Sequence, residues 1–172
     1  MKIFLIGFMG AGKSSIGRLL AEYLDIPFFD QDQVIESLSG SSVSTLFNDR
    51  GELWFREYEA AVIRDFEYPE NFVFSTGGGC PCYHDTMTWI NLHGQSIYLS
   101  AQAEVLVSRL RSTKESRPLI SSLSSADFER QIADRLALRV PFYQMATITV
   151  DMNAGESTEA VFASVVTALK IS

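Results

Sequence analysis

The chain has 172 residues, of which 47% are hydrophobic and 20% are charged, and its formal net charge is −7 at pH 7. These values predict one globular domain with a single core and exclude a largely disordered chain. The acidic balance argues against a broad nucleic-acid-binding surface, which needs clustered Lys and Arg. Anionic ligands would therefore be held by a few cations that converge on one cleft.

The first predicted elements are a buried strand and a helix joined by a glycine-rich loop. Lys2–Ile6 is a short apolar run that ends in glycines. After the loop, apolar residues recur with helical spacing at Ile16, Leu19, Leu20 and Tyr23. The apolar start also fits a short signal peptide, but cleavage near Ala11 would destroy the glycine-rich motif, so we favour the strand. No other apolar run approaches the ~18 residues needed to cross a bilayer.

Strands and helices alternate along the rest of the chain. Further strands are predicted at Ile26–Phe29, Asn71–Ser75, Ser96–Leu99 and Thr147–Val150. Helical spacing predicts helices at Val34–Leu38, Val43–Asn48, Leu53–Phe66, between Tyr83 and Leu92, and at Ala103–Leu110, Phe128–Arg139 and Val161–Leu169. This order predicts the α/β class, a single three-layer α/β/α domain over residues 1–172 around a five-stranded parallel sheet. Ligands of such sheets bind beyond the carboxyl ends of the strands, where Gly7, Asp30 and Gly77 lie.

The segment from Gly7 to Ser14 matches the phosphate-binding pattern G-x-x-x-x-G-K-[ST] and lies between a strand and a helix. Glycines let backbone N–H groups point at the phosphates, and the helix begins with its positive dipole end toward the same anion. Lys13 is expected to reach the β- and γ-phosphates, and the Ser14 hydroxyl to ligate Mg²⁺. The residues predicted to bind the nucleotide here are Gly10, Ala11, Gly12, Lys13, Ser14 and Ser15.

Two carboxylates follow the second strand. Asp30 and Asp32 lie two positions apart where the strand gives way to a helix, so they can serve a cation and a substrate hydroxyl in one cleft. Helix capping by Asp30, with Gln33 at the capping-box position, explains the same residues equally well.

A charged pair and a glycine run form the next candidate features. Arg56 and Glu59 lie three residues apart on a predicted helix, off its apolar stripe, so Glu59 can hold Arg56 in a fixed pose. Taken alone, this pair is better explained as an exposed salt bridge. Gly77–Gly79 at a strand end lets a ligand approach bare backbone amides, although a plain tight turn also explains it.

Two later arginines complete the set. Arg117 precedes a proline in the Ser-rich segment Ser112–Ser125, which predicts a mobile loop that closes over ATP and excludes water. Arg139 lies near the end of a predicted helix. An arginine in this position can bind an anionic ligand, but it can equally offset the dipole of the helix.

Cys80 and Cys82 are the only cysteines, and Pro81 alone separates them. A disulfide framework is therefore not expected, and a reducing cytoplasm fits better. Together with His84, these thiols are close enough in the sequence to suggest half a metal site. Because a structural zinc site needs four N or S ligands, we favour a turn of small buried residues.

These features, in this order behind the phosphate loop, resemble the shikimate kinase family, and the resemblance runs from about Ile3 to Val150. It implies an ATP-dependent enzyme that transfers the γ-phosphoryl group to the 3-hydroxyl of shikimate, with Mg²⁺ as cofactor. The substrate-binding region would be about residues 31–62, and the lid about 112–125.

The resemblance also implies roles for the candidate residues. Ser14 and Asp30 would hold Mg²⁺, while Lys13, Asp32 and Arg117 would be catalytic, with Asp32 on the attacking hydroxyl and Arg117 as the lid arginine. The substrate-binding residues would be Asp32, Arg56, Gly78, Gly79 and Arg139, with Glu59 orienting Arg56.

The resemblance leaves the adenine contact and the acceptor more open. Either Arg109 or Arg111 would contact adenine, with spacing favouring Arg111, and Asn153 would lie on the other side of the base. Another small-metabolite kinase, for gluconate or a nucleoside monophosphate, is the nearest alternative. A nucleotide-binding switch is the alternative from another class, but a guanine-reading N-K-x-D sequence is absent. The expected partners are ATP and shikimate, without nucleic acid or membrane, and a monomer is expected.

Overall fold

The computed structural model describes residues 1–111 and 125–170. The strands in this part of the chain are β1 (Lys2–Ile6), β2 (Phe28–Asp30), β3 (Phe72–Ser75), β4 (Gln95–Ala101) and β5 (Ile148–Met152). Its helices are α1 (Lys13–Leu24), α2 (Gln31–Ser39), α3 (Val43–Arg50), α4 (Glu52–Asp65), α5 (Thr86–His93), α6 (Ala103–Arg111), α7 (Ser125–Tyr143) and α8 (Thr158–Leu169), with a short 3-10 helix at Cys80–Cys82. None of the helices in residues 1–111 and 125–170 combines the length and the apolar character needed to cross a membrane.

The strands form one parallel sheet in the order β2-β3-β1-β4-β5. β1 lies at the centre, and its residues from Ile3 to Ile6 are fully buried. Continuous apolar runs of this kind are typical of parallel strands, because helices cover both faces of the sheet. The predicted α/β class and five-stranded parallel sheet are confirmed.

The strand order brings three loops together at one edge of the sheet. β1 leads into the phosphate loop at Gly7, β2 ends at Asp30, and β3 leads into the glycine turn, Gly77–Gly79. Because β2, β3 and β1 are neighbours and parallel, their carboxyl ends lie side by side. A ligand site at this edge draws on all three loops.

Several element boundaries differ from the predictions, and three of them bear on the site. β2 begins at Phe28 rather than Ile26, and α2 begins at Gln31 rather than Val34, because the side chain of Asp30 caps the helix. α7 continues past the predicted end at Arg139, although Pro141 lies in its last turn. A proline removes one helical hydrogen bond, and here the helix ends two residues later.

Candidate active site

The phosphate loop between β1 and α1 has a backbone shape that its glycines allow. Gly10 and Gly12 have φ angles of +81° and +87°, in the left-handed region that other residues rarely adopt. The Lys13 ammonium lies over the loop and donates to the carbonyl oxygens of Gly7 and Phe8 at 2.9 and 3.0 Å. A cation is therefore held where phosphates bind in this motif.

Ser14 and Asp30 meet at the ends of neighbouring elements. The Ser14 hydroxyl donates to Asp30 Oδ2 at 2.5 Å, and Asp30 Oδ1 accepts from the backbone N–H of Asp32 at 3.1 Å. The capping role of Asp30 is confirmed, and its contact with Ser14 goes beyond capping. Hydroxyl and carboxylate oxygens are ligands that Mg²⁺ prefers, so this donor pair fits the predicted cation.

The Arg56 guanidinium is buried, so the exposed salt bridge considered from the sequence is wrong. Arg56 is 8% exposed and Glu59 is 1% exposed. Arg56 Nη1 donates to Glu59 Oε2 at 2.8 Å, and Nη2 donates to Glu52 Oε1 at 3.2 Å. Burial lowers the pKa of Arg56, but Glu59 and Glu52 outweigh it, and the pKa is raised. Arg56 therefore stays charged in a fixed pose.

Burial and the neighbouring arginine act on the pKa of Glu59 in opposite directions. Burial raises the pKa of the Glu59 carboxyl, while Arg56 opposes that shift. An ion pair this deep in the protein contributes little net stability, because desolvation offsets the attraction. The contribution of the pair is to hold the Arg56 guanidinium in one orientation.

The glycine turn lies against two guanidinium groups. A Cβ atom at Gly79 would lie 2.5 Å from Arg56 Nη1, and a Cβ atom at Gly78 would lie 3.7 Å from Arg139 Nη1. The Arg139 guanidinium also lies over the Phe8 ring, 5.3 Å from its centroid. Glycine at position 79 is therefore required for the close approach of Arg56.

One cavity of about 960 Å³ brings the predicted substrate-binding residues together. Five predicted residues line it, namely Asp32, Arg56, Gly78, Gly79 and Arg139. Glu59 lines the same cavity, and Met9 of the phosphate loop borders it. The convergence of these distant segments is confirmed, while the role of each residue stays a prediction.

Two residues of α7 escaped the sequence analysis. Arg135 lies one helical turn before Arg139, lines the same cavity and forms no ion pair with any described residue. Like charges four residues apart destabilise a helix, so this spacing was a readable signal. Tyr143 donates its hydroxyl to the Gly78 carbonyl. No local pattern distinguishes it from an ordinary core aromatic.

The two arginines predicted for adenine differ in their surroundings. Arg109 Nη1 lies 3.8 Å from a Cβ position built on Gly12 and 3.8 Å from Met152 Sδ. Arg111 instead pairs with Glu129 of α7. This geometry favours Arg109, the alternative that spacing ranked second, and the adenine contact itself stays a prediction.

The remaining nucleotide residues lie at the border of the described structure. Asn153 directly follows β5, and its backbone N–H donates to Glu156 Oε2 at 2.8 Å. Arg117 and residues 112–124 of the predicted lid lie outside the described residues, and Ser125 begins α7. The roles of Asn153 and Arg117 stay predictions.

The turn at Cys80–Cys82 contains two free thiols. Cys80 is buried and Cys82 is partly buried, and burial raises the pKa of Cys82 to about 11. Across residues 1–111 and 125–170, no group of three His, Cys, Asp or Glu side chains is arranged to hold a metal ion. The described residues therefore do not extend the half metal site that Cys80, Cys82 and His84 suggested.

Comparisons with known proteins agree with the resemblance. The family model for shikimate kinase matches residues 9–170. The shikimate kinase of Bacteroides thetaiotaomicron is 40% identical over 146 residues, which cover 85% of this chain and 83% of that protein. A crystal structure of shikimate kinase from the same species has a TM-score of 0.91 at 36% identity and covers 99% of both chains. A structure of the Acinetobacter baumannii enzyme in complex with shikimate has a TM-score of 0.86 at 30% identity, over 98% of this chain and 92% of that one.

These matches extend over nearly the whole chain, beyond the range from Ile3 to Val150 that carries the motifs. The relatives and structures named above are all shikimate kinases, so they favour that family over the gluconate and nucleoside monophosphate kinases and over a nucleotide-binding switch. The fold, the phosphate loop and the substrate cavity agree with them, and the predicted kinase is confirmed. The chain belongs to the shikimate kinase family.

Proposed function

We propose that this chain transfers the γ-phosphoryl group of ATP to the 3-hydroxyl of shikimate, giving shikimate 3-phosphate and ADP. The observation that carries the proposal is that Asp32, Arg56 and Arg139 line one cavity beside the phosphate loop. Such a cavity binds a carboxylate through the arginines and leaves a ring hydroxyl for Asp32. ATP would lie on the phosphate loop.

Arg56 has donors to spare for a carboxylate. Of the five N–H bonds of a guanidinium, three contact Glu59 and Glu52. The other two, together with Arg139, would bind the acid group of the substrate. A charge-assisted hydrogen bond contributes about 1.5 to 3 kcal/mol, so two arginines select strongly for an anionic acceptor.

Asp32 would align the attacking hydroxyl by accepting its hydrogen bond. Phosphoryl transfer passes through a loose transition state, so alignment and charge neutralisation supply most of the rate. Lys13 would neutralise the charge that develops on the transferred group. Ser14 and Asp30 would hold Mg²⁺, whose chemistry is to neutralise the phosphate oxygens.

Arg135 is assigned an electrostatic role in this scheme. It is a third cation of the cavity, one turn from Arg139, and the protein as a whole is acidic. Four carboxylates also line the cavity, so a third guanidinium offsets part of their charge and attracts an anionic substrate against the net charge of the protein. Arg135 would therefore assist the capture of shikimate more than the chemical step.

An assay of ADP release with Mg-ATP tests this function. Shikimate should release ADP well above the rate without acceptor, while gluconate and AMP should give only that background rate. Phosphorus NMR of the product should show a phosphate ester on the 3-hydroxyl. Turnover with gluconate or AMP but not shikimate would overturn the proposal. The monomeric state and the cytoplasmic location stay predictions.

A further inference from the structure

One fully buried side chain next to residues that line the substrate cavity has no part in the mechanism above. Gln31 is the first residue of α2 and has 0% of its surface exposed. Its Nε2 donates to the backbone carbonyl of Glu59 at 2.9 Å and to Cys80 Sγ at 3.3 Å. Its Oε1 accepts from the backbone N–H of Gly77 at 2.7 Å. All three contacts are to residues far away in the sequence.

The contacts of Gln31 require a primary amide. The Gly77 N–H only donates and the Glu59 carbonyl only accepts, so one side chain must present an acceptor and a donor at once. A carboxylate lacks the donor, and an apolar side chain of the same length lacks both. Either change leaves a buried polar group without its partner, which is costly in a dry environment.

Gln31 connects three separate parts of the substrate cavity. Gln31 directly precedes Asp32, Glu59 orients Arg56 on α4, and Gly77 begins the glycine turn. The turn touches Arg56 closely, since a Cβ atom at Gly79 would lie 2.5 Å from Arg56 Nη1. A shift of the turn or of α4 relative to α2 would therefore change the span between Asp32 and Arg56.

We propose that Gln31 is a positioning residue that sets the distance between Asp32, which aligns the hydroxyl, and Arg56, which binds the acid. It acts through Gly77 and Glu59 and touches neither substrate. The inference rests on the proposed shikimate kinase activity. It adds a specificity role, because the distance between the two groups selects acids whose hydroxyl lies at a matching separation from the carboxylate.

The Gln31→Met variant tests the proposal, because it should change the KM for shikimate but not the KM for ATP. The KM for shikimate should rise about tenfold and kcat should fall about fivefold, because the hydrogen bonds to Gly77 and Glu59 that hold the geometry are both lost. The KM for ATP should stay within about twofold, because no hydrogen bond of Gln31 reaches the phosphate loop. Val165→Ala in α8 is the control, since Val165 is fully buried and outside the cavity.

The control separates positioning from stability. Val165→Ala should lower the melting temperature with the KM for shikimate unchanged. If Gln31→Met also lowers only the melting temperature, or raises the KM for both substrates equally, the proposal is overturned. Gln31→Asn keeps the amide on a side chain that is one methylene shorter. It should raise the KM for shikimate about threefold with the KM for ATP unchanged, and it provides the test if the Met variant does not fold.

A readout without activity keeps this inference distinct from the proposed function. In protein labelled with ¹⁵N-glycine, the Gly77 amide should exchange slowly with solvent, and exchange should become at least about tenfold faster in both Gln31 variants. Unchanged exchange would overturn the contact. A wild-type protein that does not phosphorylate shikimate would defeat the proposed function, while the Gly77 exchange would still decide the role of Gln31 in holding the turn.

Discussion

The two sides of the active site are built in different ways. The phosphate side is local, because Gly7 to Ser14 supplies its loop, its lysine and its hydroxyl within one short segment. The acid side is assembled from distant segments, with Asp32 and Arg139 more than a hundred residues apart in the chain. One side uses mainly backbone groups, while the other uses side chains that tertiary packing must bring together.

This difference predicts how each side fails. The phosphate loop offers one ammonium, that of Lys13, which two carbonyl oxygens hold in place. No other side chain of the loop can replace its charge if Lys13 is lost. The acid side shares one anion between Arg56 and Arg139, with Arg135 nearby. Single substitutions there should give graded losses that depend on which contact is removed.

The largest effect is expected on the phosphate side. Lys13→Ala should lower kcat/KM by at least about 10³-fold, because the charge on the transferred phosphoryl group loses its cation. Steady-state kinetics with both substrates measures this loss. Lys2→Ala removes an exposed lysine outside the cavity and should stay within twofold of wild type. Substantial turnover by Lys13→Ala would contradict the phosphate role.

Asp32→Asn should have the next largest effect, on the boundary between the two sides. We expect kcat to fall about 100-fold while the affinity for ATP changes little, because the amide no longer accepts the hydroxyl proton in the same way. Rapid-quench kinetics and ATP titration measure the two quantities. Near-normal turnover would remove Asp32 from the reacting centre.

Arg56→Ala should damage the acid side selectively. The KM for shikimate should rise about 30-fold or more, corresponding to about 2 kcal/mol of lost charge-assisted bonding, while the KM for ATP stays near wild type. The melting temperature should also fall, because Glu59 loses its guanidinium partner while buried. An unchanged KM for shikimate would defeat the assignment of Arg56 to the carboxylate.

Arg135→Gln should give a smaller loss that salt reveals. The KM for shikimate should rise about threefold, and kcat/KM should depend less steeply on ionic strength, because a steering charge is gone. Arg130→Gln on the same helix is the matched control, since Arg130 is exposed and paired with Asp127. If both variants behave alike, Arg135 has no special role.

The smallest effect concerns the reactivity of the Cys82 thiol, which is measured by chemical labelling rather than by enzyme activity. Burial raises its pKa to about 11, so its thiol stays protonated at neutral pH and ionises only as the pH approaches that value. Alkylation by iodoacetamide, followed by mass spectrometry, should therefore keep accelerating above pH 9, with shikimate but not ATP giving protection. Cys82→Ser should abolish the labelling. A rate that levels off below pH 9 would contradict the raised pKa.

The local side of the site was the more predictable one. The spacing from Gly7 to Ser14 and its place between a strand and a helix carry the physics of phosphate binding, and both are visible in one segment. The acid side was reached through the family resemblance, because spacing alone left Arg56 as an exposed pair and Arg139 as a helix-end charge. Nothing local indicates that a glycine turn will bury Arg56.

Gln31 and Tyr143 were missed because their roles depend on contacts with residues far away in the chain. Gln31 bonds to groups 28, 46 and 49 residues away, so its helix alone presents it as an ordinary first-turn residue. The extent of α7 was underestimated because Pro141 normally signals an end. These failures arise where tertiary packing overrides a local rule, and here they fall beside the substrate cavity.

α7 has one more consequence, through the hydroxyl at its far end. It is a continuous helix of 19 residues, and the Tyr143 hydroxyl at its end bonds to the Gly78 carbonyl. Any displacement of α7 along its length would therefore either shift the turn at Gly78 or break that bond. α7 thereby couples the position of the whole helix to the acid end of the site.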